Sequence, residues 1–243
     1  ARDPRFRLEV NPHNLGMVGN VNRCLASGSG RYLVVLGSDD VMRPGHLASL
    51  VAAMDAHPDA ALGYTQCDWI DGNGELLRYL DHPGHLKHSY YGGRNEVADL
   101  LSHDDYITPS AMMLRRDALE RIRLPDGSVH ADMPAGDWDL VVRLAEVAPD
   151  FVFLRQPSIG YRVHDRQISQ GFYASTAPLE NHVRILEGVV DRGHLERIRG
   201  REDTVRALLL QRLAQYPDER GGELGKRVQT LCRQLDALRG LPT

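Results

Sequence analysis

The run Tyr32-Leu33-Val34-Val35-Leu36 is apolar and largely branched, and it closes through Gly37-Ser38 on two adjacent carboxylates, Asp39 and Asp40. Such a run reads as a buried strand. A helix signal follows at once: Pro44 is placed to open it, Leu47, Leu50, Val51 and Met54 share one face, and Pro58 stops it. This strand, loop, helix unit points to an α/β sheet with helices against it. Adjacent like charges repel and have to be hydrated or neutralised, so Asp39-Asp40 reads either as a surface turn or as a cation site.

The flanking segments extend the pattern. An Asn-rich turn leads into a helix from Asn14 to Ser27, ended by Gly28-Ser29-Gly30. Ala60 to Gln66 is a strand candidate, and Asp71-Gly72-Asn73-Gly74 between two apolar pairs is a hairpin turn, so the sheet is expected to be mixed. Residues 81–93 read as a long His-, Gly- and Tyr-rich loop, and Asn95 is placed to cap a short helix through Leu101. Strands are expected over 107–114, 151–154 and 159–163, and a helix over 138–147. Beyond about residue 178 only helix remains, which suggests an α/β domain over 1–175 and a helical extension over 176–243. In that extension Leu224, Val228, Leu231, Leu235 and Leu238 step by 4, 3, 4 and 3. Two heptads fall short of the roughly 3 to 4 a coiled coil needs, so a helix packed back on its own domain is favoured over a homodimer contact through the C-terminal helix.

Composition excludes several classes of partner. With 29 Lys and Arg against 33 Asp and Glu, the net charge of -4 gives no general affinity for nucleic acid, and any anionic ligand has to be held locally. Cys24, Cys67 and Cys232 lie far apart and form neither a zinc pattern nor a disulfide framework. No apolar run approaches the ~18 residues of a membrane span. The expected location is the cytoplasm, free or peripheral to the inner face of the membrane, without a transmembrane segment.

Ligands of open α/β sheets gather beyond the carboxyl ends of the strands, where Asp39 and Asp40 project. Carboxylate oxygens suit a divalent cation, Mn2+ or Mg2+, which can bridge to a diphosphate. In Gly136-Asp137-Trp138-Asp139-Leu140, Asp137 stands at a helix start, either as a cap or as a general base, and Trp138 beside it is a candidate sugar-stacking platform. His164 in Tyr161-Arg162-Val163-His164 reads as a surface residue or as a ligand completing a metal shell. His82, His85 and His88 are evenly spaced, but Pro83 and Gly84 break any helix that would align them for a metal, and a solvated loop is expected.

These motifs together resemble the family 2 glycosyltransferases of GT-A fold. The matching positions are Asn14, Gly16, Asn22, Gly30, Tyr32 and Gly37-Ser38-Asp39-Asp40, then Ser110 to Arg116, Asp137-Trp138-Asp139-Leu140 with Arg143, and Tyr161-Arg162 with His164 and Ser169. The resemblance, over residues 8–170, implies a mixed, mainly parallel sheet flanked by helices. It implies sugar transfer from a nucleotide-diphosphate donor to an acceptor hydroxyl of a saccharide, lipid-linked or protein acceptor, metal-dependent and with inversion. It places Asn14, Gly16, Asn22 and Asp39 at the donor, Asp40 and His164 at the metal, Asp137 as the catalytic base, and Trp138 and Ser110 at the acceptor. Arg143 is expected to brace its helix.

Three departures stand out. Gly37 takes the place of a first acid, and Gly136 that of a Glu before the base. The two strands that normally open the family domain do not precede the Asn14 segment, so the chain is a fragment, or is completed by another chain, or is a non-catalytic remnant serving as an interaction module.

Overall fold

A computed structural model describes residues 3–79, 86–165 and 167–239. Its strands are β1 (Tyr32–Leu33), β2 (Val41–Met42), β3 (Leu62–Ile70), β4 (Leu76–Tyr79), β5 (Tyr90–Tyr91), β6 (Met112–Arg115) and β7 (Phe151–Arg162). They form a sheet in the order β1-β6-β3-β7-β2, with β4 on β3 and β5 on β7. The sheet is mixed, as expected, but the expectation of a mainly parallel one is corrected. Only β3 and β7 pair in parallel among the described residues. The helical crossover does keep β1 and β3 pointing the same way, yet β6 lies between them and pairs antiparallel to both.

Period-two alternation sends neighbouring residues of these strands to opposite faces. Leu62, Tyr64, Phe151, Phe153 and Leu114 join one apolar core, whereas Met113 and Val152 pack with Leu50 and Met54 of α2 (His46–Ala56) in another. The first face is also lined by α3 (Glu96–His103), α4 (Arg116–Glu120), α5 (Gly136–Val147) and α7 (Ala177–Asp191). Beyond them α8 (Glu202–Ala214) and α9 (Glu223–Arg239) continue that same core outward. Leu224, Val228, Leu231 and Leu235 belong to it together with Trp138 and Leu144, so the leucine seam is buried within the chain. No helix among the described residues is long and apolar enough to cross a membrane.

Local chemistry explains the differences in element boundaries. The strand expected over 32–36 pairs only at Tyr32 and Leu33, because Gly37 and Asp40 close a turn through an amide to carbonyl bond of 3.2 Å. The strands expected over 151–154 and 159–163 are one, β7, whose register with β3 shifts where Gln66 faces Pro157. Proline has no N–H to give to the ladder, and the bulge accommodates it. The helix α1 (Gly16–Ser27), the 71–74 hairpin turn and the Asn95 cap, whose side chain accepts from the Ala98 amide at 3.2 Å, are as expected. His82 and His85 lie outside the described residues, and His88 is exposed.

Candidate active site

The turn after β1 is held from two sides. The Ser110 hydroxyl donates to Asp40 Oδ2 and accepts from the Gly37 amide at 2.9 Å, while the Arg162 amide donates to Asp40 Oδ1 at 3.0 Å. Arg162 also reaches the Asp39 carbonyl with Nε at 2.7 Å and the Asp71 carbonyl with a terminal nitrogen at 2.6 Å. One arginine at the end of β7 thus anchors both the acidic turn and the β3–β4 hairpin. Asp39 faces the other way, with its Oδ2 3.0 Å from His164 Nε2 and both side chains open to solvent, 40% and 36% exposed.

This arrangement revises three assignments. Ser110 is buried behind Asp40 and fixes it, so it does not face an acceptor. His164 pairs with Asp39, not with Asp40, whose oxygens are both engaged. Asn22 is a clamp: its side-chain oxygen accepts from the Val129 and His130 amides at 3.0 and 2.9 Å and its nitrogen donates to the His130 carbonyl at 2.9 Å, joining α1 to the segment before α5. Asn14 is exposed and turns the chain into α1 by accepting from the Gly16 amide at 2.8 Å, with Gly16 at φ 68°. Among the described residues no group of three His, Cys, Asp or Glu converges as a metal cluster.

Asp137 opens α5, its Oδ1 accepting from the Trp138 amide at 3.0 Å. Burial raises its pKa, opposed by the neighbouring His130 and by that amide. The Tyr161 phenol is raised first by burial, against a hydrogen bond with Ser169, and then by the negative charge of Asp40, Asp39 and Asp137.

Both glycine departures fit this packing. A Cβ at Gly37 would lie 2.9 Å from Asp40 Oδ2 and 3.2 Å from Asp39 Oδ1, so a side chain there would have to displace the carboxylates of the turn. At Gly136 it would lie 2.3 Å from His130 Cε1, and the buried imidazole takes the space of the side chain common at that position. Arg143 braces its helix as expected, bonding Asp139 at 2.8 Å and the Ile122 and Val129 carbonyls. The stacking role of Trp138 is overturned. It is 2% exposed and wedged against His182 of α7 with ring centroids 5.1 Å apart, because a one-residue step along a helix turns it ~100° from Asp137 and into the core.

His130 escaped the motif reading: it stands in no motif, and only the tertiary fold packs its imidazole against Gly136, the residue before Asp137.

Residues 1–123 match the family model described as Glycosyl transferase family 2. The chain belongs to this family. It is 22% identical over 167 residues to an uncharacterised glycosyltransferase of Methanocaldococcus jannaschii, covering 68% of this chain and 53% of that protein. It is 34% identical over 76 residues to the succinoglycan biosynthesis protein ExoO of Rhizobium meliloti, covering 31% of this chain and 22% of that protein. Among solved structures it resembles the mannosyltransferase PcManGT from Pyrobaculum calidifontis in complex with GDP-Man and Mn2+, with a TM-score of 0.48 and 15% identity over 95% of this chain and 61% of that one. The chain therefore spans about half or less of the curated relatives named. In this family 2 glycosyl transferase the matched residues include Asp39, Asp40 and Ser110, while Asp137, Tyr161 and His164 lie beyond them.

Proposed function

We propose that the chain transfers a sugar from a nucleotide-diphosphate donor to an acceptor hydroxyl of a saccharide, lipid-linked or protein acceptor, with inversion at the anomeric carbon and dependence on a divalent cation. The observation that carries this reading is the acidic turn after β1, in which Ser110 and the Arg162 amide fix Asp40 while Asp39 stands open to solvent with His164 3.0 Å away.

Asp39 and His164 supply a hard oxygen and an imidazole on an open surface, with Asp40 fixed behind them. That donor set fits Mn2+ or Mg2+, which bind through one or two protein ligands and take the rest from phosphate oxygens. Bound there, the cation would neutralise charge on the departing diphosphate. Asp137 takes the proton of the acceptor hydroxyl. A carboxylate with an ordinary pKa near ~3.9 is a weak base at neutral pH, and burial moves Asp137 toward the range in which it accepts a proton effectively. Arg162 and Ser110 keep the acid pair in place. Residues 1–175 carry these groups, with 176–243 as a helical extension packed behind them.

Calorimetry with Mn2+ and UDP, GDP or dTDP tests the donor side. Micromolar, metal-dependent binding of one nucleotide is expected; its absence for all three would favour a non-catalytic interaction module.

A further inference from the structure

Strand register sets a row of side chains across the sheet beside the acidic turn. β2 runs antiparallel to β7 with Val41 opposite Gly160, and the Arg162 amide donates to Asp40 Oδ1 at 3.0 Å, so the turn ends next to Tyr161. Tyr161 pairs with Trp69 of β3, and Trp69 pairs with Arg78 of β4. Side chains opposite one another on neighbouring strands stand on the same face. Two residues earlier on that face, Cys67 and Ile159 are buried against Ala111, the neighbour of the Ser110 that holds Asp40. At Trp69 and Tyr161 this cover ends, and both residues are half-buried. Their ring centroids are 6.3 Å apart with planes tilted by 48°, and the Arg78 guanidinium carbon lies 3.7 Å from the centroid of the Trp69 ring. Ser169 of α6 (Ile168–Tyr173) hydrogen-bonds the Tyr161 phenol. Arg162 ties the β3–β4 hairpin to the acidic turn through the Asp71 and Gly72 carbonyls at 2.6 and 2.9 Å and the Asp39 carbonyl at 2.7 Å, which fixes the two rings relative to the acid pair.

We propose that Trp69 is the residue on which the acceptor stacks, and that the acceptor therefore ends in a pyranose and not in a bare protein or lipid hydroxyl. A pyranose has a C–H face that sheds water onto an aromatic ring and a rim of hydroxyls that need hydrogen bonds. The indole meets the first, and the Tyr161 phenol and Arg78 guanidinium meet the second. Arg78 is exposed, so the indole face under it is yielded to a ligand as the guanidinium moves to the hydroxyls. Two strand spacings, about 10 Å, separate Trp69 from the acidic turn. A ring stacked there lies beside a sugar held at Asp39 and not in its place. The stacking role that the motifs gave to Trp138 passes to the other tryptophan of the chain.

The inference rests on the sugar-transfer reading, yet the two fail separately. Nucleotide calorimetry and Asp137→Asn decide transfer, whereas indole N–H resonances decide stacking with no donor and no turnover. Trp69 and Trp138 are the two tryptophans, so the 15N spectrum carries two indole signals, assigned through Trp69→Phe and Trp138→Phe. The methyl pyranosides of glucose, galactose, mannose and N-acetylglucosamine are titrated into the millimolar range, with N-acetylserine amide as the protein-like control. Expected is a saturable shift of the Trp69 signal with at least one pyranoside, while the Trp138 signal stays in place and the serine amide moves neither. Trp69→Ala should bind that pyranoside about tenfold more weakly by saturation-transfer NMR, and Trp69→Phe only a few-fold more weakly. Metal-dependent nucleotide binding should be unchanged in both. Should Trp69→Ala not melt cooperatively, the wild-type titration decides alone. A Trp69 signal that none of the four pyranosides moves, or that the serine amide moves instead, overturns the proposal, as does a folded Trp69→Ala that binds the pyranoside as tightly as wild type.

Discussion

The Ser110 hydroxyl donates to the Asp40 carboxylate and accepts from the Gly37 amide, so a residue 70 positions away from the acidic turn determines how that turn is presented. A hydrogen bond to a charged group contributes ~1.5–3 kcal/mol, and its loss leaves a part-buried carboxylate short of a donor. Ser110→Ala is expected to lower unfolding free energy by about 2 kcal/mol and to weaken metal-dependent nucleotide binding several-fold. Urea unfolding and calorimetry check the two effects; unchanged nucleotide affinity would show that Asp40 needs no brace.

Trp138 fills the space between α5 and α7. Trp138→Ala should cost ~3–5 kcal/mol through the cavity it leaves, and Trp138→Phe much less. Because the ring never meets solvent, the Phe variant should keep wild-type acceptor KM, whereas a raised KM with unaltered stability would restore a stacking role.

His182 is held neutral, its pKa lowered to about 3 by burial and by the Arg212 cation that donates to its Nδ1. The unfolded chain binds this proton near ~6.5, so the stabilisation is complete above that pH and is lost progressively as the pH falls toward about 3. His182→Gln, which keeps an acceptor for Arg212, should flatten the acid limb of stability measured by urea unfolding from pH 4 to 8. A limb as steep as in wild type would mean that another group titrates there.

Glu96 behaves in the opposite sense. Burial raises its pKa to about 7, against hydrogen bonding from Tyr90 and from Tyr106, the latter a long donor at 3.5 Å. The protonated form stabilises the fold fully below the ordinary value of 4.5, and this is lost as the pH rises through about 7. Glu96→Gln should therefore be more stable than wild type at pH 8 than at pH 5, by on the order of 2–3 kcal/mol. Equal differences at both pH values would contradict a raised Glu96.

What the sequence disclosed follows the reach of each signal. The apolar run ending at Asp39-Asp40, the 71–74 turn and the Asn95 cap are local patterns, and each forms where its residues place it. Chain-wide geometry was hidden: β6 inserts between β1 and β3, and Pro157 bends one long strand that reads as two. At the candidate site, motif spacing singled out Asp39, Asp40, Asp137 and His164, but the side chains they pair with could not be read from it. Ser110 and Asn22 serve the backbone and carboxylate behind the site, and Trp138 turns inward, because a side chain's direction depends on neighbours distant in sequence.

The central claim is that Asp137 removes the acceptor proton opposite a nucleotide held at Asp39 and His164. Sugar transfer by Asp137→Asn, measured with the nucleotide sugar whose nucleotide binds, tests it most directly. The account predicts a fall in kcat of ~10²–10⁴-fold with nucleotide affinity unchanged, and transfer within a few-fold of wild type would contradict it.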